Sequence, residues 1–163
     1  VRAGLNKYQD PMMAVADGYL STVACIDFPK PFAEGPLQVA AGGMGVHLLN
    51  MSTVGPTLDP AKPQVLLYEP KGDKLVLVGA EWFMPVQAAG STHPAIFGQQ
   101  LNGPMEGHPP IMPPELHHYD LHVWLWRDNP AGVFSPTNAA VSCPKGGYTH
   151  AAEGAKMVGG HAH

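Results

Sequence analysis

The clearest pattern along the chain is a pair of apolar, β-forming runs on either side of a polar turn. The runs are VLLYE (65–69) and LVLVGAEWF (75–83), and the turn between them is PKGDK (70–74). Runs rich in valine and aromatic residues that flank a glycine-containing turn indicate two paired strands. The sequence therefore predicts an antiparallel β-hairpin over residues 65–83.

Two further strands are predicted, one on each side of this hairpin in the sequence. The segment VAAGGMGVHLLNM (39–51) is apolar and carries His47. The segment HHYDLHVWLW (117–126) alternates apolar residues with polar or aromatic ones. Because alternate side chains of a strand point to opposite faces, this second segment presents one plain core face and one chemically mixed face.

A short helix is predicted near the N-terminus. Asp10 is a favourable capping residue, Pro11 suits the first helical position, and Gly18 would end the helix. The apolar side of this helix would consist of Met12, Met13, Val15 and Ala16.

Residues 87–116 carry ten glycines and prolines, so they are predicted to form an irregular loop over most of their length. The loop also contains large apolar residues, which favour a segment that covers a surface over a free linker. We expect it to fold over the site and to bring His108 close to His118. Glu69, at the end of its strand, is expected to lie at the surface or to anchor a loop, too far from Glu81 to share a site with it.

Ionisable side chains fall in the middle of the predicted strands. Glu81 is the one charged residue of the run 75–83, where burial requires a partner, a proton or a metal. A solvated glutamate, or an ion pair with Lys62, Lys74 or Arg127, is the alternative. On 117–126 the mixed face carries polar and aromatic residues that could line a ligand cavity or face solvent, namely His118, Asp120, His122, Trp124 and Trp126.

A lone histidine in an apolar run, such as His47, is usually a hydrogen-bonded core residue. Two other residues favour a metal-ligand role for His47, because His47, His122 and Glu81 each lie near the middle of a predicted strand. Three such groups that converge inside a barrel form a two-histidine, one-carboxylate set typical of transition-metal sites. We predict one bound ion of iron, copper or zinc, with His118 and His108 as additional ligands.

The metal would act as a Lewis acid or redox centre on a small molecule, with aromatic molecules among the candidates, and oxidoreductase and lyase activities both stay open. A non-catalytic carrier of a hydrophobic ligand or haem is the alternative function. Its pocket would be walled by Trp82, Trp124 and Trp126. The terminal His161 and His163 could bind metal adventitiously.

The chain contains two cysteines, Cys25 and Cys143. We predict a disulfide between them, with two buried thiols as the alternative. Low charge, abundant proline and glycine and a first residue other than methionine fit a processed, exported protein. A secreted or periplasmic location follows as an expectation.

Composition and charge argue against several other classes of protein. Of 163 residues, 45% are hydrophobic and 13% charged, which is typical of a loop-rich globule and not of a disordered chain. A net charge of -4 without a basic cluster argues against nucleic acid as a partner, and the apolar runs are too short for a membrane span. The sequence predicts a mainly β protein with a single domain over 1–143, an antiparallel barrel or jelly-roll-like sandwich, and a flexible tail over 144–163.

Four segments resemble a family of small, exported bacterial proteins of unassigned function: A-D-G-Y (16–19), G-M-G-V-H (43–47), the hairpin 67–83 and L-H-V-W-L-W-R-D-N-P-A-G-V-F (121–134). The resemblance extends from Tyr8 to Cys143. It implies export and a functional role for His47 and His122, but it implies no particular reaction. The cupin superfamily is a weaker comparison, because the H-x-H pair of its motif is absent.

Overall fold

A six-stranded antiparallel sheet organises the chain, which the computed structural model describes over residues 1–150 and 154–158. The helices are α1 (Arg2–Leu5), α2 (Pro11–Ala16) and α3 (Val86–Ala89), and 3-10 turns lie at Asn6–Gln9 and Met51–Thr53. The strands are β1 (Leu20–Phe28), β2 (Phe32–Glu34), β3 (Leu37–Val39), β4 (Gly42–Leu49), β5 (Val65–Lys71), β6 (Lys74–Pro85), β7 (Ala95–Ile96), β8 (Gln99–Gln100), β9 (Asn102–Met105) and β10 (His118–Val123).

The order of strands across the sheet is β1-β4-β5-β6-β10-β9, and the sheet curls into a half-barrel. The mainly β class is confirmed, and so is the hairpin, because β5 pairs with β6 through the register Lys71↔Lys74. β2 and β3 form a separate hairpin, as do β7 and β8. No helix within residues 1–150 and 154–158 is long and apolar enough to cross a membrane.

A bulge in β6 reverses the alternation of its side chains. Leu67 pairs with Gly79 and Tyr68 with Leu77, so Val78 is an extra residue without a partner on β5. A single inserted residue moves all later side chains to the other face. Leu77 therefore lies in the same core cluster as Trp82, whereas strict alternation places it on the side of Glu81.

The two faces of the sheet differ in chemistry. One face buries the main core, in which Leu121 and Val123 pack with Trp82, and it is covered by the N-terminal helical residues Leu5 and Tyr8. This confirms the predicted core face of segment 117–126. The other face carries the buried imidazoles and carboxylates, which are His47, Glu81, His118, Asp120 and His122.

The N-terminal helix is capped as predicted, since the Asp10 carboxylate accepts a hydrogen bond from the Met12 backbone amide at 3.0 Å. The prediction of its buried, apolar side is wrong. Met12, Met13, Val15 and Ala16 are exposed, and Ala14 is the buried residue of the helix. With six residues, α2 is too short to lay a full apolar stripe on the sheet, and Leu5 and Tyr8 supply that contact instead.

The long loop divides between the two faces. Its first half packs through Ile96, Phe97 and Leu101 against the main core, away from the buried imidazoles. Its second half packs Ile111 and Met112 on the other face. The second half alone therefore covers the predicted site.

Glu69 is an anchor and not a surface residue. Its side chain is 2% exposed and accepts hydrogen bonds from the Arg127 guanidinium at 2.8 Å and from the Ser142 amide at 2.8 Å. The carboxylate thus ties two loops to β5.

We expect Glu69→Gln to lower the free energy of unfolding by about 1–3 kcal/mol, because it removes the charge opposite Arg127 and leaves one acceptor oxygen where Arg127 and Ser142 now use two. Chemical denaturation measures the change. Glu115→Gln, at an exposed position, is the matched control and should be neutral. Equal stability of the two variants would contradict the anchoring role.

The predicted disulfide joins Cys25 of β1 to Cys143. Beyond it, Thr149 forms a bridge to Ala24, and Met157 forms a bridge to Met105 of β9. The C-terminal segment therefore touches both edge strands of the sheet. His161 and His163 lie outside the described residues.

Candidate metal centre

Strands β4, β6 and β10 bring His47, Glu81 and His122 together, as the sequence predicts. His122 of β10 lies directly opposite Glu81 of β6, and His47 comes from β4 on the other side of β5. One ligand atom from each side chain lies within 4.8 Å of the other two. All three side chains are buried.

The distances within this set suit a shared metal ion. Glu81 Oε2 lies 3.5 Å from His47 Nε2 and 3.5 Å from His122 Nε2. Two ligand atoms bonded at about 2.1 Å to a tetrahedral ion lie about 3.4 Å apart. Among the described residues, Glu81 Oε2 and His122 Nε2 find no hydrogen-bond partner. Buried polar atoms without a partner are costly, and a bound cation would satisfy both.

The backbone of β4 orients His47. Its Nδ1–H donates to the Gly45 carbonyl at 3.3 Å, which leaves the Nε2 lone pair directed at Glu81. Gly45 has a φ of +81°, and a Cβ there would collide with the Tyr68 carbonyl. Gly45, two residues before His47, is therefore required for this geometry, in which its carbonyl fixes the tautomer of the imidazole.

A second cluster lies beside the first. His108 Nε2 and His118 Nε2 approach the same oxygen, Asp120 Oδ2, at 3.2 and 3.3 Å. His118 Nδ1–H donates to the Leu116 carbonyl at 3.0 Å, so its Nε2 faces the carboxylate. The other Asp120 oxygen lies 3.9 Å from His122 Nδ1. The long loop thus places His108 where it was expected.

Burial controls the ionisation of the first set. It lowers the pKa of His47 to about 3 and that of His122 to about 4, so both imidazoles are neutral at physiological pH. Burial, followed by the charges of Asp120 and Glu34, raises the pKa of Glu81 well above its ordinary value. Without a cation, this shift favours the protonated Glu81 carboxyl, whose proton metal binding would release.

In the second cluster, hydrogen bonds outweigh burial in setting the pKa values. Burial of Asp120 favours its neutral form, but hydrogen bonds from His108 and His118 outweigh burial and lower its pKa. Burial likewise lowers the pKa of His118, but the hydrogen bond to Asp120 and its charge raise it by more. The negative charge of the site is thus concentrated on Asp120.

A small apolar cavity adjoins both clusters. Besides His47, Glu81, His108 and His122, its lining consists of Ile26, Phe28, Met44, Ile111 and Met112. The space has room for about one water molecule. It is far too small for a haem.

The predicted tryptophan-walled pocket is not formed by the described residues. Trp82 lies on the core face of the sheet, opposite to Glu81, and its indole donates to the Asp59 carbonyl at 2.8 Å. Trp124 donates to the Ser135 carbonyl, and Trp126 to the Asn6 side chain. Each indole has a hydrogen-bond partner of its own. Trp82 is adjacent to Glu81, and adjacent residues of a strand point to opposite faces. Trp124 and Trp126 lie beyond the end of β10, so the strand does not direct them towards one pocket.

Two carboxylates of the site were not among the predicted ligands. Asp120 has the same strand parity as His118 and His122, and this parity was the signal that could have identified it. Glu34 of β2 is buried, and burial and the charge of Asp120 raise its pKa to about 8. Its segment PFAEG reads as an exposed turn, so no local signal reveals it.

Compared with protein-family models, with curated proteins and with solved structures, the chain matches none significantly. The class of protein is therefore argued from the geometry of the site itself.

Proposed function

We propose that the protein binds a transition-metal ion through His47 Nε2, His122 Nε2 and a Glu81 carboxylate oxygen. The observation that carries this proposal is the convergence of the three buried ligand atoms, with Glu81 Oε2 3.5 Å from each imidazole nitrogen and without a hydrogen-bond partner among the described residues. We call this set the first centre.

The chemistry of the donors supports the proposal. Metal ligands must be deprotonated, and both imidazoles are neutral at physiological pH because burial lowers their pKa to about 3 and about 4. No lysine or arginine within the described residues forms an ion pair with Glu81. A cation is thus the partner that the carboxylate lacks.

Two imidazoles and one carboxylate are typical of non-haem iron and of catalytic zinc, and copper also accepts them. Three protein ligands leave coordination positions open towards the cavity. The ion would act there as a Lewis acid or redox centre on a molecule of few atoms, such as water or a diatomic gas. A larger substrate requires Ile111 and Met112 to move.

The closed barrel and the export of the chain belong to the same proposal. The C-terminal segment reaches both edges of the half-barrel, through the bridges Ala24↔Thr149 and Met105↔Met157, and so favours closure around the site. The disulfide Cys25–Cys143 favours an oxidising compartment outside the cytoplasm.

The test is elemental analysis of the full chain with His161→Ala and His163→Ala, purified without chelator, so that terminal histidines contribute nothing. We expect at least one equivalent of a transition metal per chain. His47→Ala should weaken binding at least about 100-fold, because losing a direct ligand costs at least as much as losing the residue that orients it.

His117→Ala is the matched control, since His117 is exposed and belongs to neither cluster. It should leave the metal content unchanged. A metal content per chain that stays unchanged after His47→Ala in the folded protein would overturn the first centre. Folding is checked by the near-ultraviolet signal of the buried tryptophans.

A further inference from the structure

We propose that His108, His118 and Asp120 form a second cation site, separate from the first centre and joined to it through the ring of His122. This second centre takes a divalent ion that accepts imidazole and carboxylate ligands, such as zinc. It goes beyond the proposed function, which needs one ion.

The ligand atoms of the second centre already converge. Nε2 of His108 and Nε2 of His118 approach Asp120 Oδ2 at 3.2 and 3.3 Å, close to the spacing of about 3.4 Å for two ligands of a tetrahedral ion. The Leu116 carbonyl holds His118 with its Nε2 towards the carboxylate. His118 is fully buried, and Asp120 is 1% exposed.

Direct hydrogen bonding explains this cluster less well. Charge-assisted N–H···O⁻ bonds are usually about 2.7–2.9 Å long, shorter than both contacts to Asp120 Oδ2. Asp120 Oδ1 is buried and has no hydrogen-bond partner within the described part of the chain. An ion between the three side chains accounts for the longer spacing of both contacts.

The charge of the region also favours a cation beside Asp120. Three buried carboxylates, Glu34, Glu81 and Asp120, influence one another electrostatically. In residues 1–150 and 154–158, no lysine or arginine forms an ion pair with any of them. Within the described residues, Asp120 therefore has imidazoles and no lysine or arginine to balance its charge, and an ion held at the second centre would compensate it.

The ring of His122 separates the two centres. Its Nε2 faces Glu81 at 3.5 Å, and its Nδ1 faces Asp120 Oδ1 at 3.9 Å. The two ring nitrogens point in different directions, so an ion bound at Nε2 lies on the other side of the ring from Asp120. His108 and His118 therefore serve a different ion from that of His47.

The test counts zinc ions per chain by native mass spectrometry, in the full chain with His161→Ala and His163→Ala. We expect two ions, one after His118→Ala and two after His117→Ala, which removes the exposed neighbouring imidazole. His108→Ala, at a partly exposed loop position, should also leave one ion and serves if the buried His118→Ala variant fails to fold.

The outcomes for the two centres are distinguishable. An unchanged count after both His108→Ala and His118→Ala overturns the second centre. A count of one in the parent chain, lost after either His47→Ala or His118→Ala, also overturns it and shows a single ion shared by both clusters. An unchanged count after His47→Ala overturns the first centre alone.

Discussion

Replacing Glu81 with glutamine is expected to weaken metal binding at the first centre at least about 100-fold while leaving the metal-free protein folded. Glutamine keeps the shape of the side chain but cannot supply a carboxylate. In the metal-free protein the neutral carboxyl is favoured, because burial and neighbouring carboxylates raise its pKa well above the ordinary value. The substitution therefore removes a ligand without creating a cavity or an unpaired charge.

The expected result can be stated as a change in stability. An ion at 100 times its dissociation constant stabilises the folded state by about 2.7 kcal/mol, and a 100-fold loss of affinity reduces this to about 0.4 kcal/mol. Thermal unfolding with and without zinc measures both values. His108→Ala is included in the background, together with His161→Ala and His163→Ala, so that the second centre does not contribute.

Glu115→Gln is the control, because Glu115 is exposed and lies outside both clusters. It should preserve the full stabilisation by zinc. If Glu81→Gln were stabilised by zinc as strongly as the control, Glu81 would not be a ligand. If it unfolded without zinc, the carboxyl would have a structural role instead.

Removal of the disulfide, by Cys25→Ala with Cys143→Ala, is expected to lower the free energy of unfolding by about 3–5 kcal/mol. The bridge spans a sequence separation of 118 residues, and long loops lose the most entropy when they are closed in the unfolded chain. For a chain of this size, the melting temperature should fall by roughly 6–20 °C. Calorimetry measures the shift.

A reducing agent provides the control for this prediction. It should lower the melting temperature of the parent chain to that of the double variant and should not affect the variant itself. A double variant that melts with the parent chain would show that contacts around Cys143, such as its amide donating to Asp27 at 3.1 Å, hold the segment without the bridge.

Much of the candidate site follows from the alternation of side chains along strands. The parity of segment 117–126 separates the core residues Leu121 and Val123 from His118 and His122, and the structure has this separation. Convergence of His47 with Glu81 and His122 needs only that their strands be close in one sheet. A strand period of two is a local property, so one sequence reveals it.

The sequence predictions that differ from the structure have a common cause: they depend on features that the two-residue period of a strand does not encode. The bulge at Val78 lies next to Gly79, but a glycine in a strand also marks a bend or a close backbone approach and does not by itself specify an inserted residue. Trp82 and Trp124 both suit a pocket by type, but their indoles donate to backbone carbonyls supplied by distant loops. Glu34 comes from a hairpin outside the main sheet, and its position depends on tertiary packing.

The spread of the ligands along the sequence sets an order of assembly. His108, His118 and Asp120 are close neighbours in the chain, so bringing them together costs little loop entropy, whereas His47, Glu81 and His122 meet after β4, β5, β6 and β10 have all paired. A nascent chain can therefore capture an ion at the second centre early, but at the first centre after the sheet is built. Since protein sites of this type choose among metals largely by availability, an ion bound at the proposed first centre would report the compartment in which the chain folds.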